Sequence, residues 1–399
     1  MSGDERRPLD GVRVVDVSSA IGAYCTKLLA GLGADVVKVE VPDGDELRRR
    51  PPFRDGASGP EASLVFAYYH ADKRGVTLDT RRAESLAVLD ALGATADVVV
   101  ISPSRRHPLA GFDDESLALA WARDDAIVCS ITPYGLTGPY RHRRATHFVA
   151  YAGSGQMHRA GPPEGPPIVI PGQQHWDEAS AHAAVAVLAA LRNRATVGGQ
   201  TIDLSAQEIA VTRDFAFDRY DIEGMSLDRS GVVGFPPTGT WQCRDGPFDV
   251  SAHQTRHWDA FLEMLEHPYE LSDPSLADVL VRREIFDGLQ ATINELLADR
   301  SRMDLLERGQ RAGLPCALLN TPAQFVADEQ LAARDYFVTL RDADGNTTRM
   351  PGPPFRSAPA LLAVCRPAPG LGEHNEEVYV GELGYAARDL AAWRGDGLV

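Results

Sequence analysis

No stretch of this chain approaches the ~20 consecutive apolar residues that a membrane-spanning helix needs. The most apolar run, Ala181–Leu191, is small-residued and stops far short. The opening MSGDERRPLD has no apolar core, so no secretory signal is read and a cytoplasmic protein without membrane contact is expected. Cysteine is sparse. Cys25, Cys129, Cys243, Cys316 and Cys365 stand singly, without a CxxC pair or a Cys/His cluster at ligand spacing. Buried free thiols are therefore expected, and neither disulfides nor a metal site. Positive charge is in deficit: 40 Lys and Arg against 56 Asp and Glu leave a net charge of −16, which speaks against a nucleic-acid binder. Two catalytic signatures are also missing. The loop SSAIGAY contains only Gly22, so the G-x-G-x-x-G cradle of a dinucleotide site is absent, and no G-x-S-x-G elbow marks a serine hydrolase. Internal repeats and low-complexity tracts are not found.

What is present is an ordinary globular composition, 44% apolar and 24% charged, in a chain long enough for two domains. Apolar runs alternate with helical patterns. Val12–Ser19, Ala34–Val41, Gly75–Asp79, Asp97–Ser102 and Ala126–Gly135 read as strands, with helices at Ala23–Gly33, over RRAESLAVLDALGATA and over DDESLALAWARDD. Nearly continuous apolar strands separated by helices predict a parallel sheet covered on both faces, a Rossmann-like, doubly wound α/β layer. A Gly/Pro-rich segment leads to PGQQHWDEAS, then to an Ala-rich helix expected after Asp177 and ending near Arg194; Thr201–Ser205 returns as a strand. GTWQCRDGPFDVSA reads as a hairpin turning at Asp245-Gly246. Helical segments near 256–266 and 282–312 complete a smaller α+β domain. The expected organisation is a large domain over 1–210, a linker over 211–235, a small domain over 236–325, and a return through 326–399 to the large domain.

Few side chains here carry chemistry at recognisable spacing. Basic clusters at Arg48–Arg50, Lys73-Arg74, Arg105-Arg106 and Arg141–Arg144 stand out on an acidic chain, where they are either solvated charge or a local site for a phosphorylated ligand. Asp177 and Glu178 lie where a helix begins, so each is a capping carboxylate or a nucleophile. His147, in RATHFVAY, is a packed histidine or an acid–base group.

Several stretches together resemble the class III CoA-transferases, a family that includes formyl-CoA and carnitine CoA-transferases and is related to α-methylacyl-CoA racemases. They are PLDGVRVVDVSSAIGAYCTKLLAGLGADVVKVEVPDGDELR, DKRGVTLD, TPYGLTGPY, LAALRNRATVGGQTIDLSAQEI and GLGEHNEEV, in order over nearly the whole chain. The resemblance implies a large Rossmann-like domain, a small domain, and two monomers interlocked like chain links. It also implies a reaction. An Asp carboxylate attacks an acyl-CoA thioester and forms a mixed anhydride, then an aspartyl–CoA thioester, and an acceptor carboxylic acid takes over the CoA. CoA is then a substrate, with no permanently bound cofactor. By position, the resemblance puts the backbone of Val17, Ser18, Ser19 and Ala20 against CoA and sets Lys73 and Arg74 against its phosphates. Arg105 and Arg106 stand in for a missing E-N-F/W-x-P-G element. Asp177 is the nucleophile implied, with Glu178 as the neighbouring candidate. The family Asp stands about thirteen residues before the first Ala of AAL; counted from Ala189 that is Trp176, one residue before Asp177. His147 falls on the racemase histidine. Two further readings are therefore open: racemisation at the α-carbon of an acyl-CoA, and a non-catalytic CoA-binding subunit paired with a homologue in place of a homodimer.

Overall fold

A computed structural model describes residues 6–54, 59–102, 125–162, 164–212, 216–224, 229, 236–252, 254–343 and 345–399. The chain divides into two compact units, 1–226 together with 335–399, and 227–334.

The larger unit is built on a six-stranded parallel sheet. In chain order its elements are β1 (Arg13–Val17), α1 (Ala23–Gly31), β2 (Asp35–Glu40), α2 (Leu64–Tyr69), β3 (Arg74–Thr77), α3 (Leu86–Gly93), β4 (Val98–Ile101), β5 (Ile127–Thr132), α4 (His147–Gly153), α5 (Gln174–Val197) and β6 (Gln200–Ser205). The strand order is β3-β2-β1-β4-β5-β6, and every pair is parallel. Val15 pairs with Val37 on one side and with Val99 on the other, so β1 lies at the centre.

Alternate residues of each strand face opposite layers. Val14, Val36, Val98, Val100, Ile127 and Cys129 point to a cluster shared with Ala23, Leu29 and Ala30 of α1 and Ala179, Ala183 and Val187 of α5. Val15, Val37, Val39, Val99, Ile101 and Val128 point to another, closed by Leu89 and Leu92 of α3 and by Val378, Tyr379, Leu390 and Leu398 near the C-terminus. Both faces being covered is why these strands read as nearly continuous apolar runs. The alanines of α5 let it lie close along α1.

The C-terminal stretch is fastened to β3. Asn375 bonds both the Thr77 amide and its hydroxyl at 2.8 Å, the Tyr379 hydroxyl donates to the Thr77 carbonyl, and Arg74 pairs with Glu377 and Glu382.

The smaller unit pairs β7 (Gly239–Cys243), β8 (Gly246–Val250) and β9 (Cys316–Leu318) in an antiparallel sheet. Its core gathers Trp241, Phe248, Trp258, Phe261, Ile293 and Leu305.

Four local expectations are corrected. Cys243 pairs with Gly246, so the hairpin turns at Arg244-Asp245, one residue earlier than read, with Gly246 at φ +131° closing it. Part of the region read as linker is helical, Ala216–Glu223. The helix expected after Asp177 starts three residues before it, at Gln174. Cys365 is exposed and Cys316 only half-buried, at the margin of the core that encloses Cys243. The helix read over DDESLALAWARDD falls almost wholly outside the described residues. Among the described residues, no helix is long and apolar enough to cross a membrane.

Candidate active site

The sheet order reverses between β1 and β4, and a crevice outside the carboxyl ends of those strands is where such sheets take ligands. Here the two strand ends are joined. The Ser19 amide donates to Ser102 Oγ at 2.5 Å, and the two hydroxyls lie 2.9 Å apart. Ser18 donates from its amide and its hydroxyl to Asp16 Oδ1, at 2.9 and 2.6 Å. The Ala20 amide reaches Glu46 Oε1 at 3.3 Å. Lys38 donates to the Ser18 carbonyl and pairs with Asp45 at 3.2 Å. The loop expected to offer amides to CoA is thus held in shape by side chains around it, with the Ser18, Ser19 and Ala20 amides engaged. Gly22 is needed just beyond it: a Cβ there would lie 2.5 Å from the Ser18 Cβ.

Lys73 and Arg74 both have carboxylate partners within the chain. The Lys73 ammonium, fully enclosed, contacts Asp16 Oδ2 at 3.0 Å, Thr26 Oγ1 at 2.6 Å, the Ala23 carbonyl at 3.2 Å and His70 Nδ1 at 3.1 Å. Burial and neighbouring cations pull the Lys73 pKa down against the opposing pull of Asp16. Arg74 forks onto Asp35 and onto Glu377 and Glu382. The Lys73 ammonium is thus engaged by a buried carboxylate, and Arg74 by three carboxylates nearer the surface. Arg105 and Arg106 lie outside the described residues.

The triplet Arg48–Arg50 separates into three environments. Arg48 is buried over the Phe66 ring and forks onto both oxygens of Glu40 at 2.7 and 2.8 Å. Arg49 is exposed, against Asp43. Arg50 donates from Nη1 to Gln173 Oε1 at 2.7 Å.

Gln173 is the N-cap residue of α5. Its side chain makes no capping bond, but its carbonyl accepts from the amides of Trp176 and Asp177 at 2.8 and 3.1 Å. Asp177 therefore sits inside the first turn and is not a cap. The Tyr69 hydroxyl, from the end of α2, bridges both of its carboxylate oxygens at 2.9 Å, and Gln173 Nε2 stands 3.5 Å from Oδ1. Burial pushes the Asp177 pKa above the usual carboxylate value, while Tyr69 and Gln173 pull it back. Three tyrosines ring the acid. Tyr69 packs edge-on against Tyr24 and against Tyr68, and both Tyr68 and Tyr69 have their pKa raised, first by burial and then by charge that includes Asp177. Ser180, one turn on, donates to the Ile21 carbonyl at 2.5 Å and ties α5 to the loop after β1.

Trp176 takes the other direction. It is only 6% exposed, belongs to the apolar cluster under the sheet, stacks on His175 and meets the edge of His147. Trp176 and Ala189 lie in one continuous helix, so no loop between them absorbs the one-residue offset between Asp177 and the spacing expected of the nucleophile. His147 opens α4, half-buried; burial and then Arg50 lower its pKa. Among the described residues no hydrogen bond joins it to Asp177. With Tyr151, Val169, Ile170, Gln174 and His175 it lines a shallow hollow. Glu178 is half-buried beside Asp177, and its carbonyl is 2.9 Å from His182 Nδ1. Sequence reading missed Tyr69 and Gln173, and took Arg50 only as part of a basic cluster. Tyr69 lies just before a recognised motif and Gln173 just before the acids, but the contacts that unite them span more than a hundred residues of chain.

Comparison with known proteins agrees with this architecture. The succinyl-CoA:(R)-benzylsuccinate CoA-transferase subunit BbsE of Thauera aromatica is 32% identical over 95% of both chains. The formyl-CoA:oxalate CoA-transferase of Streptomyces coelicolor is 29% identical over 98% of this chain and 99% of its own. A CAIB/BAIF family protein from Brucella suis superposes with a TM-score of 0.81 at 29% identity, over 95% of this chain and 100% of its own. The model of CoA-transferase family III matches residues 9–375, and the chain belongs to that family.

Proposed function

We propose that this CoA-transferase moves CoA from an acyl-CoA to a carboxylic acid with Asp177 as the carboxylate that carries the covalent intermediate. The observation behind this reading is the setting of Asp177: half-buried in the first turn of a long helix, with both oxygens on one tyrosine hydroxyl and an amide beside it. The acid attacks the thioester carbon and the C–S bond breaks. CoA then attacks the Asp177 carbonyl and the donor acid departs, leaving an aspartyl–CoA thioester for the acceptor to open. The family resemblance supports an interlocked dimer as the working assembly.

To test this, the protein is mixed with a panel of short, dicarboxylic and aromatic acyl-CoAs, and the Asp177 peptide is weighed by mass spectrometry. A CoA adduct on Asp177, absent from Asp177→Asn together with turnover, is the expected result. Full turnover by Asp177→Asn would sink the assignment.

A second reading has its own observation. Trp176 occupies the position that spacing assigns to the nucleophile, and the Thauera relative is itself named as a subunit. In that reading this chain pairs with a homologue that supplies the carboxylate. The pure chain would then form no adduct with any acyl-CoA and would gain activity only when co-expressed with that homologue.

A further inference from the structure

Tyr69 and Gln173 do more than hold a carboxylate in place. In the proposed reaction the Asp177 carbon is itself attacked twice, once by the CoA sulfur and once by the acceptor acid. Each attack places a full negative charge on an oxygen that already has donors aimed at it. We propose that the Tyr69 hydroxyl and the Gln173 amide form the oxyanion site for the Asp177 acyl carbon, with Arg50 as the positioning residue that aims the amide. The inference rests on Asp177 being the nucleophile.

The geometry carries it in three parts. The Tyr69 hydroxyl is 2.9 Å from both carboxylate oxygens, within the 2.7–3.1 Å of effective oxyanion donors, so it serves whichever oxygen stays on the carbonyl. Gln173 is 6% exposed, and its orientation is imposed: arginine can only donate, so Arg50 at 2.7 Å takes the amide oxygen and turns the NH2 toward Asp177. Its 3.5 Å to Oδ1 is a long contact that a tetrahedral carbon, drawing the oxygen outward, has room to shorten.

The charge balance fixes which steps benefit. In the resting enzyme one charge is shared by two oxygens. In the anhydride and the thioester the Asp177 carbonyl is neutral. In the tetrahedral states between them the charge sits on one oxygen. Donors at that oxygen therefore favour attack on the covalent adduct, and they do not favour the first attack by Asp177 on substrate, which disperses its charge. Tyr69→Phe should leave the first attack of Asp177 on the thioester intact, and slow both the formation of the CoA adduct from the anhydride and its breakdown.

The experiment loads Asp177 from an acyl-CoA without acceptor, adds hydroxylamine, and follows loss of the CoA adduct by quenched-flow mass spectrometry. Hydroxylamine nitrogen bonds to the Asp177 carbon, the C–S bond breaks, CoA thiol leaves and an aspartyl hydroxamate remains. Breakdown in Tyr69→Phe is expected to slow by roughly 10²- to 10³-fold, the usual loss for one oxyanion donor, once loading has been given time to reach the occupancy of the unmutated enzyme. A merely structural role would lower occupancy and rate together. Gln173→Leu should slow the same step by roughly tenfold, and Arg50→Lys should recover most of what Arg50→Ala loses. The phenylalanine keeps the ring against Tyr24 and Tyr68, and a melting curve checks the fold. Breakdown within threefold of the unmutated enzyme in both Tyr69→Phe and Gln173→Leu overturns the proposal while Asp177 stands. No adduct on the unmutated chain with any acyl-CoA overturns both.

Discussion

Replacing Lys73 by methionine separates two roles that the sequence leaves entangled. In the structure the Lys73 ammonium is an internal cation, enclosed by Asp16, Thr26, His70 and the Ala23 carbonyl. Methionine fills similar volume and deletes the charge. Breaking a buried ion pair by removing one partner typically costs about 3–5 kcal/mol, because the other charge stays buried. Asp16 would keep the Ser18 amide, the Ser18 hydroxyl and the Thr26 hydroxyl, so the low end applies, about 3 kcal/mol. In urea that moves the unfolding midpoint down by roughly 1 M. Had Lys73 met a CoA phosphate instead, losing one charge-assisted hydrogen bond of about 1.5–3 kcal/mol would raise KM for the CoA substrate by roughly 10- to 100-fold. Urea titration and steady-state kinetics on Lys73→Met therefore read opposite columns. The structure requires a lower midpoint with KM within about threefold. A variant as stable as its parent but weakened toward CoA would refute the burial of Lys73 as an ion-pair partner.

Asp16 gives the matching pH dependence. Lys73, Lys38 and the Ser18 and Thr26 hydroxyls overcome the effect of burial, the largest single influence, and hold its pKa down at about 2 against 3.8. A folded-state pKa below the unfolded one contributes stability that is present above about 3.8 and lost as pH falls toward 2; nearly two units correspond to about 2–3 kcal/mol. Urea midpoints measured from pH 5 down to pH 2 should fall less steeply in a Asp16→Asn background than in the unmutated chain, and equal slopes would count against the shift. In the smaller unit, Arg282 is fully buried over Trp258 and donates to the carbonyls of Pro236, Leu276 and Ala277. Arg282→Met strands those acceptors at a cost of about 2–4 kcal/mol. Hydrogen exchange should accelerate across residues 236–298, and unchanged protection there would refute the buried role.

How much could be read from the sequence follows from what each pattern depends on. The parallel sheet was legible because a strand buried on both faces must be mostly apolar: β4 is so throughout, and β1 and β5 are apart from Arg13, Asp16, Ser130 and Thr132. The start of α5 was not, since two acids before an Ala-rich run look like a cap, whereas here a glutamine carbonyl closes the first turn. The arginine triplet shows the limit most clearly. Three identical adjacent residues end as a buried fork on Glu40, a solvated partner of Asp43 and the clamp on Gln173. Partners 8, 6 and 123 residues away decide those roles, and only the first two are local. Asp72 is the converse case. It has φ +68°, where Asn and Asp are the commonest residues after glycine, and its carboxylate receives the amides of Cys365 and Arg366.

The pair Trp176-Asp177 is settled by the same reasoning. Successive helix residues point about 100° apart, so one of the two faces the apolar cluster and the other faces Tyr69. Sliding the helix by one residue would put a carboxylate among Ile21, Ala23 and Ala183 and an indole beside a tyrosine hydroxyl, exchanging a satisfied charge for a buried unpaired one. The side chains themselves therefore lock the register. Because α5 is continuous from Gln174 to Val197, the lock extends to Ala189, and the offset of one residue from the family spacing is a property of this helix. In the proposed reaction Asp177 therefore meets the thioester with Tyr69 and Gln173 already at its oxygens.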